Sequence, residues 1–205
     1  MNSNVMHFGG TSVLIPNHTH DGVLPPFIPG ASPSDRGAVA PYRTELADFA
    51  ERFAGTAERK AILSGLVAYR TALRAVGITS GFQWLDGSFV EDCEAIRGRA
   101  PKDVDLITFS FRPKAYADTA AWRELVHSRP DLFDPETTKA IYKCDAYFVD
   151  LGVHPVHVVA QTRYWFGLFS HQRDTYLWKG MIEVPFTEND NDVESFLRQE
   201  ANDAS

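Results

Sequence analysis

Residues 84–109, WLDGSFVEDCEAIRGRAPKDVDLITF, constrain the fold more than any other part of the chain. A short apolar run ends at the pair Gly87-Ser88, and after fourteen intervening residues Asp103 and Asp105 flank a single valine ahead of Leu106-Ile107. Side chains on a strand alternate between faces, so Asp-Val-Asp on a strand points both carboxylates one way and Val104 and Leu106 the other. Like charges this close repel, and burying them unpaired is costly. A hard divalent cation such as Mg²⁺, held by carboxylate oxygens, relieves that repulsion. A glycine turn with a serine hydroxyl and free backbone N–H groups suits phosphate. The segment reads as a metal–nucleotide site. Asp-x-Asp and Gly-Ser are each common in surface turns, so a purely structural α+β domain stays open as the bland alternative.

The rest of the chain limits what such a site serves. At 205 residues, with 44% hydrophobic and 12% aromatic side chains, there is enough apolar material for one packed domain with a small appendage. No apolar run approaches the roughly 20 residues of a membrane span, and MNSNVMHFGG has no basic region followed by an apolar stretch. Cys93 and Cys144 lack CxxC spacing and read as reduced thiols of a cytoplasmic protein. A net charge of −7 argues against a broad nucleic-acid footprint. Arg97, Arg99 and Lys102 beside the acidic pair form either a small basic patch or a solvated loop.

Along the chain, residues 1–43 are rich in proline and glycine and read as an irregular segment packed on the domain, with one short strand at Val13–Ile15. Helical spacing predicts a helix capped by Thr44 and running to Phe53, then a longer one over Ala57–Val76 ended by Gly77. Strands follow at Phe82–Leu85 and Val104–Phe111, helices at Asp118–His127 and Asp134–Tyr142, and a third strand at Asp145–Leu151. His157–Val159 reads as a short strand, and Tyr164–Phe169 with Trp178–Phe186 as two strands joined by a polar turn. Residues 44–186 form the main domain, and 187–205 an acidic tail with a short helix at Val193–Ala201 that then frays. The fold class is α+β, a mixed β-sheet with helices packed on one face.

Gly87-Ser88 followed by Asp103-Val104-Asp105-Leu106 resembles the signature of the polymerase-β-like nucleotidyltransferase superfamily. The segments at 21–27, 84–90, 101–109, 144–151 and 165–180 are similar to those of small bacterial proteins placed in that superfamily, so the resemblance spans nearly the whole chain. It implies transfer of an NMP from a nucleoside triphosphate to an acceptor hydroxyl, with two Mg²⁺ ions (Mn²⁺ as an alternative) on three carboxylates. The acceptor is a small molecule, a protein side chain or an RNA end, and the partners expected beside it are a protein or a second copy of the chain. Members of the superfamily include toxins and defence proteins, so the resemblance also implies a toxin–antitoxin or phage-defence setting. A nucleotide- and metal-binding module without turnover, an antitoxin or a sensor, is the alternative.

Two residues compete for the third carboxylate. Asp145 shares a strand face with Tyr147 and Val149, whereas Asp150 shares one with Cys144, Ala146 and Phe148, a face suited to packing under helices. Asp145 also opens an apolar strand, as the third acid of the superfamily does, and is preferred. In this reading Asp103 and Asp105 hold one ion and Asp105 and Asp145 the second, with Asp145 the general base. Gly87 and Ser88 meet the phosphates, Lys102 and Lys179 supply cations to them, and Tyr147 flanks the nucleobase. His171 and Arg173, in the C-terminal turn, are within reach of phosphate or simply end a hairpin. His18-x-His20 matches some metal-dependent hydrolases but sits in a proline-rich loop, and Gly9–Ser12 lacks the Gly-Lys-Ser/Thr of a phosphate loop. Trp84, Trp122, Trp165 and Trp178 read as core.

Overall fold

The computed structural model describes residues 15–32, 34–186 and 190–203. Its centre is a five-stranded mixed sheet of β1 (Tyr42–Arg43), β2 (Phe82–Asp86), β3 (Val104–Ser110), β4 (Cys144–Asp150) and β5 (Ile182–Pro185), in the order β1-β5-β2-β3-β4. Strand β2 runs antiparallel to both β3 and β5, while β3–β4 and β1–β5 are parallel pairs. The α+β class expected from the sequence is the class observed.

Period-two alternation divides the strands between two cores. Leu85, Val104, Leu106, Cys144, Ala146, Ile182 and Val184 face the larger one. Helices α1 (Leu46–Phe53) and α2 (Ala57–Ala75) cover it with Leu46, Phe49, Phe53, Ile62, Leu66, Tyr69 and Leu73. Thr56 caps α2 by accepting from the Arg59 N–H, and Asp92 caps the short α3 (Cys93–Arg97) by accepting from the Ala95 N–H. The cap of α1 is Glu45 rather than Thr44, whose hydroxyl instead reaches Asp48 Oδ2 at 3.5 Å. Helices α4 (Thr119–Ser128) and α6 (Pro135–Tyr142) begin at the aspartate caps expected, Asp118 and Asp134. Between them lies the single turn α5 (Pro130–Phe133). Residues before α1 pack across the domain through buried Val23 and Leu24, and Tyr42 donates to the Pro25 carbonyl at 2.8 Å. The strand expected at 13–15 falls mostly outside the described residues, and Ile15 is not in a strand; Gly9–Ser12 lies outside them altogether.

The opposite face of the sheet departs from expectation. Residues read as two strands, 157–159 and 164–169, form one helix, α7 (Pro155–Phe169), which covers part of that second face. Valines and aromatics at 156, 158, 159 and 164–166 favour strands intrinsically, but tertiary packing overrides the preference. Pro155 occupies the first turn, His154 caps it, and Trp165 and Phe169, four residues apart, seat against Trp84, Ile107, Phe109, Val149 and Met181. Helices therefore lie on both faces. Of the hairpin expected at the C-terminal turn, a single bridge His171–Trp178 and the shorter strand β5 remain.

The acidic tail docks on the domain. Helix α8 (Asn191–Asp203) buries Val193, with Phe196 and Leu197 against the larger core. Ahead of it, Asp190 receives Arg70 at 2.8 and 2.9 Å and Arg74 at 2.5 Å. Among the described residues no helix is long and apolar enough to cross a membrane.

Candidate functional site

Strand register assembles the site. Asp105 pairs with Asp86 across β2–β3 and with Asp145 across β3–β4. Directly opposed residues share a face, so Asp86, Asp105 and Asp145 form one row across three strands. The next row is Trp84, Ile107 and Tyr147, under α7. Asp103 lies one residue before β3, and Lys139 Nζ links it to Asp145, at 2.7 and 3.5 Å respectively. The four aspartates, Lys139 and Tyr147 line a cleft of about 710 Å³, within the range of small-molecule sites.

Its electrostatics follow from this crowding. Burial, then the charges of Asp103 and Asp145, push the Asp105 carboxyl up to about 6 from 3.8. Burial pushes Asp86 up to about 7 even with Lys179 beside it. Lys179 is 4% exposed and bonds Asp86 at 2.8 Å and Glu91 at 3.2 Å. Burial acts to lower its pKa, but those two carboxylates outweigh it and hold the ammonium charged. Asp145 Oδ1 is buried and finds no hydrogen-bond partner among the described residues.

Gly87 is required where it stands. Its φ is +79°, and a Cβ there would collide with Asp105 Oδ2. Gly87–Val90 form a 3₁₀ turn, placing Gly87 and Ser88 on the cleft wall beside the acids. Arg97, Arg99, His171, Arg173 and Lys179 add cationic and donor groups to its wall. Tyr147, Tyr164 and Tyr176 add exposed aromatic surface, with Tyr147 packed on Trp165 at a centroid distance of 4.5 Å.

The structure thus brings Gly87, Ser88, Asp103, Asp105, Asp145, Tyr147 and Lys179 to one cleft. Lys102 does not join them: its side chain is exposed and outside the cleft wall, whereas the next residue, Asp103, is half-buried on it, as successive residues of an extended chain point to opposite sides. Asp150 lies at the far end of β4, bound to Arg112 at 2.5 Å. His18 contacts the Val90 carbonyl at 3.0 Å, which ties it to the structure away from the cleft. Trp84, Trp122 and Trp165 are buried, but Trp178 is 49% exposed and packs edge-on against Phe27. Sequence reasoning missed Asp86, Glu91 and Lys139. Asp86 was detectable, since it ends β2 directly before Gly87; Lys139 carries no local signal.

The donor set is that of a hard-cation site: clustered carboxylate oxygens, one of them buried without a partner. As they stand, no group of three or more His, Cys, Asp or Glu among the described residues is arranged around a metal position. Lys139 supplies the positive charge instead. The residues fit a divalent ion in chemistry, provided the lysine yields. A model for a family of unknown function, DUF6932, matches residues 16–185. No curated protein and no solved structure matches the chain significantly.

Proposed function

We propose that this chain, which belongs to the DUF6932 family, is a cytoplasmic nucleotidyltransferase that moves an NMP from a nucleoside triphosphate to an acceptor hydroxyl. The observation that carries the reading is the carboxylate row Asp105–Asp145, with Asp103 beside it, facing a glycine turn that only a residue without Cβ can form. Asp103 and Asp105 would hold one Mg²⁺, and Asp105 with Asp145 a second. When bound, the ions would neutralise triphosphate charge and acidify the acceptor hydroxyl.

The chain's own residues do the rest. The Gly87–Ser88 turn lets the backbone approach the phosphates and offers the Ser88 hydroxyl as a donor. Lys179, held charged by Asp86 and Glu91, fixes the acid–turn geometry, and Arg97, Arg99 and Arg173 on the cleft wall would offset the charge of the departing pyrophosphate. Tyr147 offers its exposed edge to the base. The acceptor oxygen bonds to the α-phosphorus, the bond to the β-phosphate oxygen breaks, and Asp145 takes the acceptor's proton.

One observation favours a second reading, a binding module without turnover: Lys139 already neutralises two of the three acids. Incubation with α-labelled nucleoside triphosphates, Mg²⁺ and a panel of hydroxyl acceptors separates the two. Covalent label on an acceptor with pyrophosphate release, lost in Asp105→Asn, is the result expected of the enzyme. Metal-dependent nucleotide binding without label transfer would favour the module, and no binding at all would reject both.

A further inference from the structure

Lys139 enters the cleft from α6 and meets two carboxylates at once, Asp103 Oδ2 at 2.7 Å and Asp145 Oδ2 at 3.5 Å. We infer that Lys139 is a resident counter-cation, occupying the charge position of a divalent ion and displaced when that ion binds, so that it sets the metal threshold of the cleft. The inference rests on the metal-binding reading of the three carboxylates.

The backbone under Lys139 is fixed. Asp134 caps α6 by accepting from the Thr137 N–H at 2.9 Å, and the neighbouring Thr138 hydroxyl donates to the Cys144 carbonyl at 2.8 Å. The α6–α2 crossing is so close that a Cβ on Gly65 would collide with the Tyr142 carbonyl. Lys143, at φ +57°, ends the helix and leads directly into β4. The Lys139 side chain, in contrast, is 48% exposed on a flexible four-carbon stem. The ammonium can leave without moving the helix.

Two comparisons favour displacement. Lys139 bonds Asp103 and Asp145 but not Asp105, and Asp145 Oδ1 stays unpartnered, so a monovalent donor meets the acids incompletely. A divalent ion with several oxygen ligands meets them better. Lys179 has the opposite character: 4% exposed and clamped by Asp86 and Glu91, it is not replaceable. The cleft holds one fixed cation and one exchangeable one.

The test uses Mn²⁺ alone, counted by loss of the free-ion electron paramagnetic resonance signal. Proteins compared are the wild type, Lys139→Met, Lys139→Arg and Asp105→Asn. Removing a competing charge a few ångströms away should tighten Mn²⁺ binding on the order of tenfold in Lys139→Met. Lys139→Arg, which keeps the charge, should stay near wild type and guards against a folding effect. Equal or weaker binding by Lys139→Met, at sites still lost in Asp105→Asn, overturns the role of the lysine and leaves the metal reading standing. Absence of Mn²⁺ binding in every protein, or binding indifferent to Asp105→Asn, overturns the metal reading and this inference with it.

Discussion

Gly87 and Asp105 are in contact with no space to spare: a Cβ added to Gly87 would lie 2.1 Å from Asp105 Oδ2, and the glycine's φ of +79° already disfavours any side chain. The turn and the carboxylate are therefore one unit. Gly87→Ala should cost about 1–3 kcal/mol of stability, from backbone strain and displaced carboxylate together. Urea unfolding measures that loss. Metal-dependent nucleotide affinity should fall as well, and unchanged affinity would separate the turn from the site.

Asp105 carries a burden that a binding role would justify. Its carboxyl sits at about 6 against an ordinary 3.8. Between those values the native state keeps a proton that the unfolded chain has released. Its contribution to stability is thus full below pH about 4 and is lost as pH rises through about 6. At pH 7 without metal, Asp105→Asn should gain up to about 2 kcal/mol by removing a buried repelling charge. The same variant should lose the stabilisation that Mg²⁺-nucleotide gives the wild type, about 2.7 kcal/mol at a hundredfold excess over Kd. Differential scanning calorimetry with and without ligand reads both effects. Asp150→Asn, at the far end of β4, should leave the ligand effect intact.

Lys179 and Asp86 are both nearly fully buried, and Glu91 completes the cluster. Removing the cation leaves Asp86 without its buried counter-charge, while Glu91 keeps Arg97 at 2.7 Å and Gln172 at 3.2 Å, so Lys179→Met should cost about 3–5 kcal/mol. Asp86→Asn in that background should restore part of the loss. A double-mutant cycle by chemical denaturation gives the coupling, and simple additivity would contradict the pairing.

Asp190 ties the C-terminal helix to α2. Burial alone would raise its carboxyl, but the hydrogen bonds and charges of Arg70 and Arg74 hold it below the ordinary 3.8. Its stabilisation is present above pH about 4 and is lost as pH falls through its depressed native value. Asp190→Ala leaves Arg70, which is 0% exposed, without its carboxylate and should cost about 3–5 kcal/mol. Acid unfolding of this variant should be flatter below pH 4 than that of the wild type.

Much of this arrangement was legible in the residues. Alternation along 103–109 placed Asp103 and Asp105 on one face and the core residues on the other, and Asp118 and Asp134 marked helix starts. The reading failed over 155–169, where β-branched and aromatic residues mimic strands while Trp165 and Phe169 take helical spacing only because the sheet beneath needs a cover. Lys102, expected in the site from its place beside the acids, is exposed and not part of the cleft wall.

Strand period, turn chemistry and capping act over a few residues, which is why the acidic pair, the glycine turn and most element boundaries could be read from the chain alone. The partners of the charges could not. Lys179 meets Asp86 across 93 positions and Asp190 meets Arg70 across 120, and Lys139 reaches Asp103 only because α6 is pinned to α2 and β4. Long-range packing sets those pairings, since burial makes an unmatched charge too costly to leave alone, and no local pattern in the sequence encodes which cation will answer it.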